Sequence, residues 1–75
     1  MEESILDNSR SNKLLQYRTC NNLKQKEVAK AVGVSTSYYG MIETGVRNPN
    51  LEIAHKIAKY FNTSIENIFF ESLNN

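Results

Sequence analysis

The sequence predicts a single all-α domain, and three observations favour this class. Apolar residues recur three or four positions apart along most of the chain, as they do on the buried face of a helix. The 75 residues include one proline and three glycines, so few positions interrupt regular structure. Serine, asparagine and glycine, which favour helix ends, stand where the apolar patterns begin and stop. A domain this small buries only about 60% of its unfolded surface, so a homodimer would add stability.

The first helix is predicted from about residue 11 to residue 21. Leu14 and Tyr17 lie three positions apart and would share its buried face. Ser9 or Ser11 could supply the oxygen that caps its first turn. The helix should end before Asn22, because asparagine tolerates the left-handed backbone conformation that often follows a helix.

The second helix is predicted from Gln25 to Val32, with its valine and alanine side chains on one stripe. Glu27 is placed to accept a hydrogen bond from the backbone at the cap position, as in a capping box. The cap residue itself would be Lys24, which has no acceptor. Gly33 follows, and a glycine accommodates the sharp turn into the next segment.

The third helix is predicted to begin after Ser35, whose side chain can cap it, and to end at Gly45. Two short helices joined across a glycine in three or four residues form a helix-turn-helix unit. Tyr39 and Ile42 lie three positions apart in the third helix and are expected to face the core. The opposite face is expected to hold Thr36, Ser37, Gly40 and Met41.

That opposite face carries no charge and only small or flexible side chains. A helix face that meets solvent normally holds lysine and glutamate. Small hydroxyl groups can hydrogen-bond base edges, a methyl or thioether group can contact thymine, and Gly40 would allow close approach. The pattern therefore predicts a surface that lies against the bases of duplex DNA.

The fourth helix is predicted after a turn at residues 48–50, where Asn50 can act as the N-cap. Its apolar stripe consists of Leu51, Ala54, Ile57, Ala58 and Phe61. A short last helix opens on Thr63 with Glu66 three residues later, or on Ser64. Apolar residues in this last helix need cover from the first helix or from a second subunit. They are Ile65, Ile68, Phe69 and Phe70.

Charge is unevenly distributed, although the formal net charge is only +1. An acidic N-terminal arm is expected over residues 1–10, since residues 1–7 hold three acidic side chains and no basic one. Residues 8–50 hold seven basic side chains against two acidic ones. This basic section indicates a surface that faces a polyanion, although scattered lysines are more often solvated. The folded domain is expected over residues 11–70 and a C-terminal tail over residues 71–75.

Composition also excludes several functions. No apolar run approaches the roughly 20 residues that cross a bilayer, and the acidic start is unlike a secretory signal, so a cytoplasmic location is expected. Cys20 is the only cysteine, which excludes an internal disulfide and a cysteine-based metal cluster. Cys20 and His55 lack the orienting groups of a catalytic dyad. No metal-ligand spacing or phosphate-cradling loop occurs, so we expect neither an enzyme nor a bound metal or cofactor.

Many residues match one known family at that family's spacing. They are Leu14, Tyr17 and Arg18; Leu23, Gln25, Val28 and Ala29; residues 32–35; Ile42, Glu43 and Gly45; residues 47–51; Ile57 and Ala58; and residues 64–69. Through them the chain resembles the phage-repressor-like helix-turn-helix regulators of the Cro and cI type, also called xenobiotic-response-element-like regulators. The resemblance implies a lambda-repressor-like fold of five helices, in which helices 2 and 3 form the helix-turn-helix. It also implies a sequence-specific transcriptional regulator, a repressor or controller, that binds double-stranded DNA as a homodimer on a partly palindromic operator.

The helix positions and the resemblance together assign the DNA contacts. Thr36, Ser37 and Met41 are expected at base edges, although Met41 is also suited to packing. A second group is expected at phosphates, because helix N-termini, hydroxyl groups and positive charges favour them. Its members are Gln25, Ser35, Tyr38, Arg47, Lys24 and Lys26.

Two further assignments concern stability and assembly. The resemblance pairs Arg18 with Glu43 in a partly buried ion pair that ties the first helix to the third. The dimer interface is expected at the apolar residues of the last helix, namely Ile65, Ile68, Phe69 and Phe70.

Some residues depart from the family pattern. Lys24 replaces the usual capping serine or threonine, and Tyr38 and Tyr39 replace a small and a β-branched residue. Residues 36, 37 and 41 include no long side chain such as glutamine or arginine, so bidentate base recognition is absent there.

Two other functions stay open at this point. One is a protein-interaction module that binds an effector or toxin through Tyr17, Phe69 and Phe70, with DNA contact secondary. The other is single-stranded RNA binding with Tyr38 as a stacking platform, which has only one exposed aromatic residue to support it.

Overall fold

The computed structural model describes residues 12–70 as a series of helices without a strand. The elements are α1 (Leu14–Cys20), α2 (Gln25–Val32), α3 (Thr36–Thr44), α4 (Leu51–Tyr60) and a five-residue π-helical segment, α5 (Glu66–Phe70). The predicted all-α class with five helices is therefore confirmed. The predicted N-terminal arm and C-terminal tail lie outside the described residues.

The first helix is shorter than the sequence predicts. It begins at Leu14, whose backbone N–H donates to the side-chain oxygen of Asn12 at 3.0 Å. Asn12 therefore supplies the oxygen at the start of α1, whereas the predicted caps Ser9 and Ser11 lie outside the described residues. Asn22 follows the helix with a φ of 56°, in the left-handed conformation that the sequence predicts.

Local sequence fixes the turn between α2 and α3. Gly33 ends α2 with a φ of 83°, a conformation that residues with a Cβ adopt at a cost. Ser35 then caps α3, because its side-chain oxygen accepts from the backbone N–H of Tyr38 at 3.0 Å. The caps and the short turn hold the two helices of the predicted helix-turn-helix together, and α2 packs against both α3 and α4.

The core draws on every helix. Its fully buried large side chains are Tyr39, Leu14, Ile42, Ile57, Ile68 and Val28. The prediction that Leu51 belongs to the buried stripe of α4 is wrong, since Leu51 is 76% exposed. Leu51 is the first residue of α4, and the first member of the predicted stripe that is buried is Ala54. Ile53, which the predicted stripe does not include, also packs against the core.

The last element returns the chain to α1. Ser64 caps α5, since its side-chain oxygen accepts from the backbone N–H of Asn67 at 3.0 Å, and this selects the second of the two predicted starts. The backbone N–H of Lys13 donates to the carbonyl oxygen of Ile68 at 2.8 Å. The hydroxyl groups of Tyr17 and Thr63 lie 3.1 Å apart, within hydrogen-bonding distance. These contacts join the two ends of the described domain.

Candidate nucleic-acid interface

The outward face of α3 is exposed and uncharged. Thr36 and Ser37 are exposed, and so is 40% of Met41. Tyr39 and Ile42, on the opposite side of the helix, are completely buried in the core, as the spacing predicts. The three residues that the sequence assigns to base edges therefore share one accessible surface.

Gly40 does not belong to this surface, which corrects the prediction. A Cβ atom built on Gly40 would lie 3.6 Å from Oε1 and 3.7 Å from Nε2 of Gln25. The side of Gly40 that would carry a Cβ atom therefore faces the Gln25 side chain at the start of α2. Thr44, in the last turn of α3, is exposed instead, and its hydroxyl donates to the backbone oxygen of Gly40 at 3.1 Å. No sequence pattern singles out Thr44 as a functional residue, because a threonine at a helix end is common for structural reasons alone.

Behind the outward face, α3 carries a buried carboxylate. Glu43 is only 8% exposed, and it follows Tyr39 by one turn on the inner side of the helix. Arg18 donates to it twice, from Nε to Oε2 at 2.6 Å and from Nη2 to Oε1 at 3.0 Å. Gln25 Nε2 donates to Oε1 at 2.8 Å, and the Tyr39 hydroxyl donates to Oε2 at 3.2 Å. We call these four residues, Arg18, Gln25, Tyr39 and Glu43, the carboxylate network.

The carboxylate network holds Glu43 in its charged form. Burial opposes the charge, but the hydrogen bonds from Arg18 and Gln25 and the charge of Arg18 outweigh burial and lower the pKa of Glu43. The hydrogen bond with Glu43 raises the pKa of Arg18. Burial, and then the nearby Glu43 charge, raise the pKa of Tyr39, so its hydroxyl stays protonated and can donate. Because its members lie on α1, α2 and α3, the network joins these three helices through hydrogen bonds to the Glu43 carboxylate.

Gln25 has a different environment from the one its predicted role needs. Its side chain is half-buried, and its amide nitrogen donates to Glu43 and not into solvent. The backbone at the start of α2 still forms the positive end of a helix dipole, where a phosphate is favoured. A phosphate contact at this position is therefore better supplied by the backbone of α2 than by the Gln25 amide group.

Exposed cations lie beside the helix-turn-helix. Lys24 and Lys26 are exposed at the start of α2. Lys24 gives no side-chain cap, as its chemistry predicts, but its backbone N–H donates to Glu27 Oε1 at 2.7 Å. Ser35, also predicted at a phosphate, is exposed at the start of α3. These residues surround the two helix N-termini with groups that attract or hydrogen-bond a polyanion.

Tyr38 and Arg47 form a cation–π contact at the edge of the outward face. The guanidinium carbon of Arg47 lies 5.9 Å from the centre of the Tyr38 ring, within the range of a cation–π contact. Tyr38 is half-buried and packs against the core, whereas Arg47 is exposed. The backbone N–H of Arg47 donates to the carbonyl oxygen of Met41 at 3.1 Å, which anchors the loop to α3. The sequence assigned both residues to phosphates but did not indicate that they touch.

A family model described as helix-turn-helix matches residues 14–68, which is most of the chain and covers α1 to α4 and the first three residues of α5. The chain belongs to the helix-turn-helix regulators of the Cro/cI type. This helix-turn-helix protein is a transcriptional regulator with a DNA-binding domain, and its family is one of DNA-binding regulators and not of enzymes.

Relatives of this helix-turn-helix regulator occur in archaea and bacteria. It is 48% identical to an uncharacterized HTH-type transcriptional regulator, MJ0272, of Methanocaldococcus jannaschii, over 77% of this chain and 88% of that protein. It is 34% identical to the CTXphi transcriptional repressor RstR of Vibrio cholerae, over 87% of this chain and 59% of that protein. It is 35% identical to control protein C.SmaI of Serratia marcescens, over 87% of this chain and 71% of that protein.

The residues that the sequence assigned to a dimer interface are not equally accessible. Ile68 is completely buried in the core of its own protomer, so its assignment to an interface is wrong. Ile65 and Phe69 are half-buried against the same core, and Phe70 is 48% exposed. The π-helical segment α5 turns Ile68 into the core of the protomer, and helical spacing alone could not distinguish an inward from an outward direction.

Two potentially reactive side chains within residues 12–70 lie on different helices. Cys20 and His55 are both exposed, on α1 and α4 respectively. Among residues 12–70, no group of three or more histidine, cysteine, aspartate or glutamate side chains is placed to hold a metal ion. None of the helices described here has the length and apolar character that a membrane span requires.

Proposed function

We propose that this regulator binds a specific sequence of double-stranded DNA as a homodimer, with α3 in the major groove, and acts there as a repressor or controller of transcription. One observation carries the proposal. The outward face of α3 is accessible and uncharged, while the only carboxylate of that helix is buried and neutralised by Arg18. A helix that approaches bases and phosphates must not present an unpaired negative charge, and this one meets that condition.

Base recognition is assigned to Thr36, Ser37 and Met41. The two hydroxyl groups can donate to or accept from base edges, and Met41 can contact the methyl group of thymine. Thr44 lies on the same exposed side of α3 and extends the candidate surface by one turn. Because these side chains are small or flexible, each base pair contributes modest discrimination, and DNA shape and a second subunit contribute the remainder.

Phosphate binding is assigned to the groups around the two helix N-termini and the loop after α3. Ser35, Lys24 and Lys26 are exposed there, and Arg47 extends from the loop. The contribution of Gln25 is assigned to its position at the start of α2, because its side chain supports Glu43. These contacts would fix the orientation of α3 without reading sequence.

Two features support a homodimer: the small size of the domain, which limits its own stability, and the exposed apolar residues of α5. Phe70 is 48% exposed, and Ile65 and Phe69 are half-buried beside it. A second copy of the chain that covered these residues would present two α3 helices about 34 Å apart, one turn of DNA. The names of RstR, a repressor, and C.SmaI, a control protein, favour a repressor or controller for this chain.

The alternative functions receive less support from the same contacts. Tyr38 has the core on one side and Arg47 over its ring, so its face is not free to stack on an RNA base. Tyr17 lies against Phe61, with ring centres 5.8 Å apart, and its hydroxyl contacts Thr63. Tyr17 is therefore engaged within the domain, and a protein partner would have to rely on Phe69 and Phe70.

DNA recognition can be tested by selecting bound duplexes from a random library and measuring affinity by fluorescence anisotropy. Ser37→Asp and Thr36→Asp should each lower affinity for the selected duplex by at least about tenfold, because like charges brought together cost several kcal/mol. Both changes lie in the first turn of α3, where an added carboxylate does not destabilise the helix.

Gln16→Glu is the matched control for these variants, since it adds the same charge at an exposed position of α1. It should leave affinity close to that of the unchanged protein. The logarithm of the affinity should fall linearly as the logarithm of the salt concentration rises. Selection of no duplex, or full affinity in Ser37→Asp, would contradict the proposal.

The dimer is tested separately by sedimentation velocity. Phe70→Asp should shift the protein to the monomer and weaken binding to a duplex with two half-sites. Leu15→Asp, at a site that is 51% exposed on α1, is the control and should leave both unchanged. If the protein without substitutions is a monomer and still binds the selected duplex, the homodimer is refuted and the proposed DNA binding stands.

A further inference from the structure

Arg47, which contacts the Tyr38 ring, extends from the loop that follows α3. A free arginine at an exposed loop position explores many rotamers, and binding one phosphate would fix it at an entropic cost. Arg47 is exposed and follows Gly45, a left-handed residue that ends α3. Nothing in the loop sequence itself would hold the guanidinium in one direction.

The Tyr38 ring provides that direction. Tyr38 is held by α3 and packs against the core, so its ring is a fixed surface and not a mobile one. The guanidinium carbon of Arg47 lies 5.9 Å from the ring centre. A cation–π contact uses the charge of the guanidinium and consumes none of its five N–H donors, which stay available to a phosphate.

The backbone reinforces the same arrangement. The N–H of Arg47 donates to the carbonyl oxygen of Met41 at 3.1 Å. Met41 belongs to the outward face, so the start of the Arg47 side chain is tied to the helix that carries the base-contacting residues. Arg47 therefore has a contact at each end, a backbone hydrogen bond to Met41 and a cation–π contact of its guanidinium with Tyr38.

We propose that Tyr38 is a positioning residue for a phosphate clamp, and that its ring holds the Arg47 guanidinium in a binding-ready direction before DNA arrives. The proposal rests on the DNA-binding function proposed above and adds how one of its phosphate contacts is prepared. The Tyr38 hydroxyl is then a separate contact, whose loss does not release Arg47. Because a phosphate is bound, the contribution of the pair is the same for every DNA sequence.

A double-mutant cycle tests the pair with the selected duplex and with an unrelated duplex. Tyr38→Leu removes the ring and keeps an apolar side chain, and Arg47→Ala removes the clamp. Tyr38→Leu should weaken binding roughly two- to fivefold, the range of an exposed cation–π contact. In the Arg47→Ala background Tyr38→Leu should have only the small effect of losing the hydroxyl, which is the effect that Tyr38→Phe should have in both backgrounds.

The salt dependence of DNA affinity provides a second test of the proposal. Arg47→Ala should reduce the slope of log affinity against log salt by about one, and should weaken both duplexes by the same factor. Tyr38→Leu should leave that slope unchanged, because the charge remains and only its direction is lost. An equal effect of Tyr38→Leu with and without Arg47 would overturn the proposal.

The unbound protein supplies a test that does not depend on DNA. The δ protons of Arg47 should show an upfield ring-current shift in the NMR spectrum, which Tyr38→Leu removes and Tyr38→Phe retains. Absence of this shift in the unchanged, folded protein would overturn the positioning role while leaving DNA binding intact. Failure to bind any duplex, with the shift present, would instead refute the proposed function, and the clamp with it.

Discussion

The two sides of α3 differ sharply in chemistry. The outward face has hydroxyl groups and a thioether and no charge, whereas the inner side has a carboxylate with four hydrogen bonds from three residues. Helices of small proteins usually show the reverse arrangement, with charge outside and apolar groups inside. The difference indicates a division of labour, in which the inner side fixes the position of α3 and the outward face is left to recognise DNA.

Removal of the buried carboxylate should have the largest effect. Glu43→Ala leaves Arg18, Gln25 and Tyr39 without their shared acceptor, and breaking a buried pair costs about 3 to 5 kcal/mol. A domain of this size has little stability to spare, so we expect the variant to be largely unfolded by circular dichroism. Glu52→Ala is the control, because Glu52 is 74% exposed and pairs with Lys56 at 3.6 Å. A Glu43→Ala protein that melts at the temperature of the unchanged protein would refute the role of the carboxylate network.

Acid should weaken the carboxylate network by protonating Glu43, without any substitution. The folded protein lowers the pKa of Glu43 from its ordinary value of 4.5, so this stabilisation is present above about pH 4.5 and is lost as the pH falls through the lower, folded value. The loss should be smaller than in Glu43→Ala, because a protonated carboxyl group keeps some of its hydrogen bonds. Urea unfolding from pH 7 to pH 3 measures it. Glu43→Gln should flatten this acid dependence, and an unchanged slope in that variant would assign it to other carboxylates.

Removal of one hydrogen-bond donor from the carboxylate network should lower stability by a still smaller amount. Tyr39→Phe removes the hydroxyl that lies 3.2 Å from Glu43 Oε2 and keeps the buried ring. We expect a loss of about 1 kcal/mol in the free energy of unfolding, typical of one hydrogen bond. Chemical denaturation would measure it, with Tyr60→Phe as the control because Tyr60 is 42% exposed. A loss as large as that of Glu43→Ala would mean that Tyr39, and not Arg18, is the principal partner.

Substitutions on the outward face should change DNA affinity and leave stability nearly unchanged. Ser37→Ala removes an exposed hydroxyl and should change the free energy of unfolding by less than about 0.5 kcal/mol. Its affinity for the selected duplex should fall while its affinity for unrelated duplexes stays the same, because a base contact and not a phosphate contact is lost. Equal weakening of both duplexes would move Ser37 from the base-contacting group to the phosphate group.

Features set by neighbouring residues were predictable from the sequence. Ser35 and Asn50 cap α3 and α4 as predicted, and Gly33 adopts its left-handed conformation. The inward direction of Tyr39 also followed from helical spacing. These features depend on a few consecutive residues, so a local pattern contains the necessary information. The Arg18–Glu43 pair, separated by 25 positions, was accessible only through the resemblance to a family.

The errors concern contacts between distant residues. Gly40 was assigned to the outward face, but it faces Gln25, 15 positions earlier, across the helix-turn-helix. Ile68 was assigned to a dimer, but the return of α5 to α1 buries it. Asn12 donates to the carbonyl oxygen of Ile42 at 3.0 Å, and no pattern around either residue indicates this contact. Helical period fixes relative directions on one helix, whereas which side a neighbouring helix covers depends on the whole packing arrangement.

The bond between Lys13 N–H and the Ile68 carbonyl, with the nearby contact of Tyr17 and Thr63, brings opposite ends of the described domain into adjacent positions. A designed peptide linker could therefore join them, and new termini could be opened in the exposed turn at Asn21 and Asn22. Such a circular permutant would retain the helix-turn-helix as one uninterrupted stretch. It would also allow two copies to be fused in tandem with a geometry unlike that of a natural head-to-tail fusion.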